Sequence, residues 1–476
     1  MLNKNNKEAS ISKLLGKIDH AKLYCLFGKL DQLKISESFR SMMIIFSIHV
    51  KRNIFLFFII FGVTFSIQAQ QKDLENSPFR YNPQTSFNFN AHVIDDELIG
   101  GSWAQTSLFD MDGDGQLEFI MGARDRINNV IYVYKYHLPG RWTRYAVGEE
   151  PPTDVGGVAI DITGNGLGDI VSGTAWYRNS GDLNEPFEKI IYEDDNPGIH
   201  DLEVYDINGN GRLDVITMSD QSNLRWYHIP EDPTEPWVRH DIGEAVHGGI
   251  SPMGFGDING NGYTDVVRAD VWFENVTGDG TEWRKHKLGT IKTLLPGALD
   301  GLPDWANGTK TWVVDVNGNG RNDVVQCDAE VRGGSIWWME NLGETENGMV
   351  KWRRHIIAGR DRVMGGMHSL FVGDFNGNNL PDVVTAEMDL DFARPGVNGN
   401  ENPRYFLWEN LGPSYDGILS WREHVIADVN LGGHEIVAGD VTGNGKLDII
   451  GKPWRPSSKN ALGGRSYVLF LHNVTP

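Results

Sequence analysis

The sequence predicts an all-β protein, a seven-bladed β-propeller closed by an N-terminal strand, on three observations. An Asp/Asn/Gly comb recurs seven times, aromatic and amphipathic strand signatures recur in step with it, and one of those signatures is displaced from the C-terminal end of the chain to the N-terminal end. Composition agrees: 56 Gly and 20 Pro punctuate a chain that is 40% hydrophobic with 15 Trp, enough apolar mass for a large core.

The first 70 residues stand apart. Lys51 and Arg52 precede an apolar run, Asn53 to Ile67, and Ala69 supplies a small residue where a signal peptidase would cut. Residues 1–70 are therefore expected to be a cleaved extension and signal peptide, and 71–476 the propeller, exported to the periplasm or secreted. The 41 lysine-rich residues before Met42 do not resemble a domain and read as lying upstream of the true start. The apolar run is shorter than the ~20 residues of a spanning helix, so no membrane span is expected in the mature form. Residues 1–70 hold ten Lys/Arg against four Asp/Glu, so the net charge of −21 becomes −27 for the remainder. So acidic a body argues against nucleic acid as partner. Loss of Cys25 leaves Cys327 alone, which excludes an intramolecular disulfide. A monomer is expected.

The combs begin at Asp110, Asp161, Asp206, Asp257, Asp315, Asp374 and Asp440, spaced by 51, 45, 51, 58, 59 and 66 residues. A period of that size marks an array of supersecondary units. Oxygen donors on alternate residues of a tight glycine turn suit a hard cation such as calcium. The expected ligands are Asp110, Asp112, Asp114 and Glu118; Asp161, Asn165 and Asp169; Asp206, Asn208, Asn210 and Asp214; and Asp257, Asn259, Asn261 and Asp265. The remaining copies supply Asp315, Asn317, Asn319 and Asp323; Asp374, Asn376, Asn378 and Asp382; and Asp440, Asn444 and Asp448. Thr163 and Thr442 at position 3, and Asn379 in place of Gly, depart from the pattern. An EF-hand is excluded, because position 12 is Met121 or Thr217 rather than Glu and strand residues follow. The competing reading is that Asp and Asn cap tight turns through side-chain to backbone bonds.

After each comb comes an aromatic strand, as in "AWYRN", "VWFEN" and "FLWEN", and then an amphipathic strand such as "WVRHDI", "WRKHKL" or "WREHVI". Six copies of the last strand serve seven combs. The seventh is "FNAHVI" at Phe89 to Ile94, while the C-terminus stops at "YVLFLHN" without its partner. That displacement describes a ring, in which closure removes free sheet edges. His92, His240, His286, His355 and His424 share the outer-strand register and are expected to pack, as are Trp142, Trp237, Trp283, Trp352 and Trp421.

The comb followed by "DVV" or "DII" resembles the FG-GAP or VCBS repeat of propeller proteins, including the integrin head, from about residue 85 to the end. That fold serves binders and enzymes alike, so function is sought in residues the repeat does not need. Six residues before the comb stand His200, His368 and His434, where the other units have Ala104, Val155, Ser251 and Thr309. Equivalent positions converge on the axis, so these histidines, with His247 of "HGGIS", are the candidate catalytic group. A ring of imidazoles can move protons or hold a second divalent metal. Arg124, Arg268, Arg332, Lys452 and Arg455 lie in loops opening on the same face and are the candidate binders of an anionic substrate. The long loops near 289–309, 386–404 and 451–466 are expected to wall the mouth.

These residue types suit elimination at C4 of a uronic acid, which needs a base for the C5 proton, a cation for the carboxylate and an acid for the departing oxygen. "HDLEVYD", "MHSLFVGD" and "GGHEIVAGD" are similar to secreted propeller enzymes of marine bacteria that degrade ulvan, and to the propeller part of aldos-2-ulose dehydratases. The resemblance implies a carbon–oxygen lyase: a dehydratase acting on the terminal uronate of an ulvan-type oligosaccharide, or an endo-acting ulvan lyase. A calcium-dependent carbohydrate-binding or adhesion propeller without chemistry is the third reading.

Overall fold

In the computed structural model, residues 86–476 are described apart from 124–128, 154, 289–308, 330–334, 345–347, 359–364, 389–401 and 416. The signal-peptide expectation lies outside them, as do most of the 289–309 and 386–404 loops. The unit Pro78–Pro476 is all strand and turn; among the described residues there is no helix.

Strand β1 (Phe89–Leu98) pairs with the last strand of the chain, placing His92 opposite Phe470. Blade 1 follows as β2 (Trp103–Phe109), β3 (Glu118–Ala123), β4 (Val130–Leu138) and β5 (Arg141–Glu149). Blade 2 is β6 (Gly157–Ile160), β7 (Asp169–Ser172), β8 (Ala175–Arg178) and β9 (Glu188–Ile191). Blade 3 is β10 (Ile199–Tyr205), β11 (Asp214–Ser219), β12 (Asn223–His228) and β13 (Val238–Glu244). The innermost strand of blade 4 is split into β14 (Pro252–Met253) and β15 (Phe255–Gly256), followed by β16 (Asp265–Arg268), β17 (Val271–Asn275) and β18 (Trp283–Lys287). Blade 5 is β19 (Thr309–Val314), β20 (Asp323–Asp328), β21 (Ile336–Glu344) and β22 (Val350–Ala358), and β14 pairs with β19 in parallel. Gly254 makes that split: a Cβ there would lie 2.5 Å from the Val267 carbonyl oxygen. Blade 6 is β23 (Phe371–Gly373), β24 (Asp382–Ala386), β25 (Arg404–Pro413) and β26 (Leu419–Asp428). Blade 7, β27 (Glu435–Gly439), β28 (Asp448–Lys452) and β29 (Ser466–Asn473), takes β1 as its outer strand, as the displaced signature requires.

The core lies between blades. Ile170 and Tyr177 of blade 2 join Ile120 and Val133 of blade 1, and Val325 and Trp338 of blade 5 join Val383 and Trp408 of blade 6. The second strands are therefore buried on both faces, which explains their unbroken β-branched runs. His240, His286 and His355 stack on Trp226, Trp272 and Trp338 with ring centroids 4.3, 4.2 and 4.4 Å apart. Trp142 of blade 1 meets Phe470 of blade 7, and Trp237 stacks on Tyr192. The packing role expected of this register holds. The Asn of the "EN" signature adds a clasp: Asn275, Asn341 and Asn410 donate from Nδ2 to the Ile207, Ile258 and Val316 carbonyls of the preceding blade.

Candidate functional site at the propeller axis

The combs leave the inner strands on one face. Asp206 accepts from the N–H groups of Gly209, Asn210 and Gly211, and Asn210 accepts from Arg212, so positions 1 and 5 close the turn as Asx caps. Asn379 fits the glycine position because Asn tolerates its φ of +63°. The position-9 carboxylates are buried and bound to backbone: Asp323 accepts from Val316 and Asn341 at 3.0 and 2.7 Å, and Asp265 and Asp382 repeat the pattern. Burial pushes Asp265, Asp323 and Asp382 up to about 7. The turn-capping reading is therefore realised at these positions, and a cation would use lone pairs that the backbone leaves.

The loops are not equivalent. The third-strand residue facing each comb is Glu274, Glu340 or Glu409 in blades 4, 5 and 6, each accepting from the comb Asn at position 3 and contacting an outer-strand His. The first loop has Lys135 there instead. Among the described residues only Asp110, Asp112 and Glu118 bring three acidic or imidazole ligand atoms within 4.8 Å of one another, and the Lys135 ammonium contacts Asp112 and lies 2.7 Å from Asp114. His228 reaches Asp214 at 3.0 Å and His472 lies 3.4 Å from Asn444, so blades 3 and 7 also present basic residues. The seven combs therefore differ in the side chain that stands beside them. In blades 4 to 6 the comb and the third-strand Glu supply oxygen donors, and Arg284, Arg353 and Arg422 approach the second oxygen of Glu274, Glu340 and Glu409 at 3.2, 3.4 and 3.4 Å.

At the other end the inner strands enclose an axial cavity of about 240 Å³ to which every blade contributes, among them Thr106, Val158, His200, Ser251, Lys310, His368 and Glu435. Of the three histidines of that register, His200 and His368 line the cavity. His368 and His434 stack with centroids 3.8 Å apart, and His368 Nδ1 lies 2.7 Å from the His434 carbonyl oxygen. A carbonyl only accepts, so Nδ1 carries the proton and Nε2 is the basic nitrogen of neutral His368. His200 Nδ1 lies 2.6 Å from Asp201 Oδ1, while Asp201 Oδ2 accepts from the N–H groups of Gly249, Ile250 and Ser251. Burial opposes ionisation of Asp201, but His200, Lys310 and the Ser251 N–H outweigh it and hold the carboxyl well below its usual range. Burial, then the neighbouring His368 and Lys452, push His434 well below the usual histidine range, and its buried Nδ1 has no hydrogen-bond partner among the described residues.

His247 does not line the cavity; its ring lies 4.3 Å from that of His200 and its Nδ1 is 2.7 Å from Asp220. Two of the basic residues expected on the rim are buried. Arg268 is buried beside Glu244 and Asp270 at 3.9 and 3.8 Å, and Lys452 is fully buried, bonded to the Trp103 carbonyl and 3.7 Å from Glu435. Lys452 is held by internal acceptors, whereas the buried Arg268 Nε has no hydrogen-bond partner among the described residues. Arg455 bonds to Ser102, and Arg124 and Arg332 lie outside the described residues. His200, His368 and His434 are not among the groups whose ligand atoms gather within 4.8 Å, so their arrangement does not support the second metal expected there.

The charged groups that do reach the cavity are Lys310, Glu203 and Glu435, none of them singled out in the sequence. Lys310 Nζ is 3.1 Å from Glu435 Oε1, and Thr106 donates to Oε2 at 3.1 Å. Burial would raise Glu435, but Lys310 and Lys452 draw it down to about 2. Lys310, Glu203 and Glu435 stand inside the inner strands TKTWVV, IHDLEVY and EIVAG, where a Lys or Glu five or three residues before the comb is the signal. Ala104 and Val155, two of the four non-histidine positions of that register, pack with Trp454 in an apolar cluster.

Residues 206–267 and 315–385 match the FG-GAP-like repeat. No curated protein matches the chain. Two crystal structures of BBS1N in complex with ARL6DN, one soaked with mercury and one with lead, are similar at 10% identity, covering 83% of this chain and 98% of theirs, with TM-scores of 0.45 and 0.43. A likeness at that score carries no argument about fold or function.

Proposed function

We propose, from the premise that the chain is a seven-bladed β-propeller carrying FG-GAP-like repeats, that it is a carbon–oxygen lyase whose axial cavity eliminates water from the terminal uronate of an anionic oligosaccharide. The observation that carries this reading is the Asp201–His200 pair opening on a cavity that also holds Lys310. Asp201 positions the imidazole with Nδ1 protonated, which leaves Nε2 to take the proton at C5. Lys310 offers the cation that lowers the cost of charge developing on the adjacent carboxylate. Glu435 keeps Lys310 protonated in a buried place, and Lys452 compensates Glu435 from behind. Trp312 and Phe371, 4.9 Å apart and lining the same cavity, supply apolar surface for the C–H face of a sugar ring. His247, half-exposed beside His200 and bonded to Asp220, is placed to pass a proton towards solvent. Enclosure by all seven blades favours a chain end over an internal bond.

The test is incubation of the intact protein with uronate oligosaccharides and polymers, following the ultraviolet absorbance of a conjugated unsaturated uronate and the product mass. Loss of one water without a shorter chain is the expected result. Fragments would replace the dehydratase with an endo-acting lyase, and no absorbance on any uronate substrate would overturn the elimination and leave a binding propeller. On the comb face, we propose calcium in the loops of blades 4 to 6 as structural ions, and export of a monomer as its cellular setting.

A further inference from the structure

We propose that Glu203 is the acid that protonates the departing oxygen, a role that rests on the elimination proposed above. Three carboxylates sit at the axis and two are committed. Asp201 has one oxygen on His200 and the other on three backbone N–H groups, and it does not line the cavity. Glu435 is clamped between Lys310 and Lys452 and cannot carry a proton at neutral pH.

Glu203 differs from both. It lines the cavity, yet no cationic nitrogen lies within ion-pair distance of it among the described residues. The pairing register of β10 shifts between Ile199 and Asp201, and His200, Leu202 and Glu203 of that strand all line the cavity. The groups around it are Asp201, Lys310, Glu435 and the Ser251 hydroxyl; burial dominates, and with the two carboxylates it outweighs Ser251 and Lys310 to raise Glu203 to about 8. At neutral pH it is therefore a carboxylic acid with a proton to give.

The step balances without a further reactant. His200 Nε2 takes the C5 proton, the C–H electron pair becomes the C4–C5 double bond, and the C4–O bond breaks. The oxygen leaves as water with the Glu203 proton. Glu203 ends as carboxylate and His200 as imidazolium, and proton exchange through water restores both.

The experiment compares the wild type with Glu203→Gln and Glu203→Asp in the intact protein, on a uronate substrate with a hydroxyl at C4 and on one with a more acidic leaving group there. The expected result is a fall of ~100-fold or more for Glu203→Gln on the hydroxyl substrate, a smaller fall on the activated one, partial recovery in Glu203→Asp, and loss of the alkaline limb that the wild-type pH profile shows near 8. A merely structural role would lower the melting temperature and leave both the limb and the leaving-group dependence in place. An active wild type with Glu203→Gln within ~3-fold on both substrates overturns the assignment alone. A wild type that makes no unsaturated product overturns the elimination itself and this role with it.

Discussion

Glu435→Gln should expose how tightly the axis is held by charge. In the wild type the carboxylate lies 3.1 Å from Lys310 and 3.7 Å from Lys452, accepts from Thr106, and is 17% exposed. Its shift from 4.5 to about 2 corresponds to roughly 3 kcal/mol, at about 1.4 kcal/mol per pH unit. Breaking one partner of a buried pair costs about 3–5 kcal/mol, which agrees. For a domain near this size, an unfolding entropy of roughly 2 cal/mol/K per residue turns that loss into a melting-temperature drop of about 4 °C. The sign follows from the depressed folded-state value: the stabilisation is present above 4.5 and is lost as the pH falls from there towards 2. Thermal melts of both proteins across that range should show a gap at neutral pH that narrows on acidification. An unchanged melting temperature at pH 7, or a gap that does not depend on pH, would refute the electrostatic account of the axis.

Asp323→Ala leaves the buried Val316 and Asn341 N–H groups without an acceptor and should lower stability by about 2–6 kcal/mol in chemical denaturation, with Asp323→Asn losing less. Chelation should lower the melting temperature, because ions bound only by the folded state stabilise it. Lys135→Met removes the internal cation of the first loop and should make the melt more sensitive to calcium than that of the wild type; equal sensitivity would mean that Lys135 does not stand in for an ion. His355→Ala forfeits the Trp338 stack and the Glu340 bond and should cost about 1–2 kcal/mol with no change in turnover.

The architecture was legible because the repeat advertises itself. The displaced "FNAHVI" signature required β1 to close blade 7, and the outer-strand His and Trp residues pack as their shared register implied. The axial histidines were legible for the same reason, since a register position in a ring maps to one height on the axis. The supporting charges were harder to see. Lys310 and Glu435 stand five residues before their combs and Glu203 three before its own, and the five-residue position holds Gly156, Asp201, Pro252 and Ser369 in other blades, so no single residue type marks the column. Arg268 and Lys452, expected in loops opening on the axial face, are the last residues of β16 and β28, each buried beside a carboxylate of its own or a neighbouring blade. The difference between combs was also concealed, because it lies in Lys135, Glu274, Glu340 and Glu409 on the third strands.

The central claim places the chemistry on the axial face and leaves the combs a structural role. The most direct test sets His200→Ala beside Asp323→Asn in one assay of unsaturated uronate formation, both checked for folding by thermal melt. The account predicts that the axial variant loses turnover by ~100-fold or more while the comb variant, though less stable, turns over at the wild-type rate below its melting temperature. Full activity in His200→Ala, or loss of turnover in a folded Asp323→Asn, would contradict it.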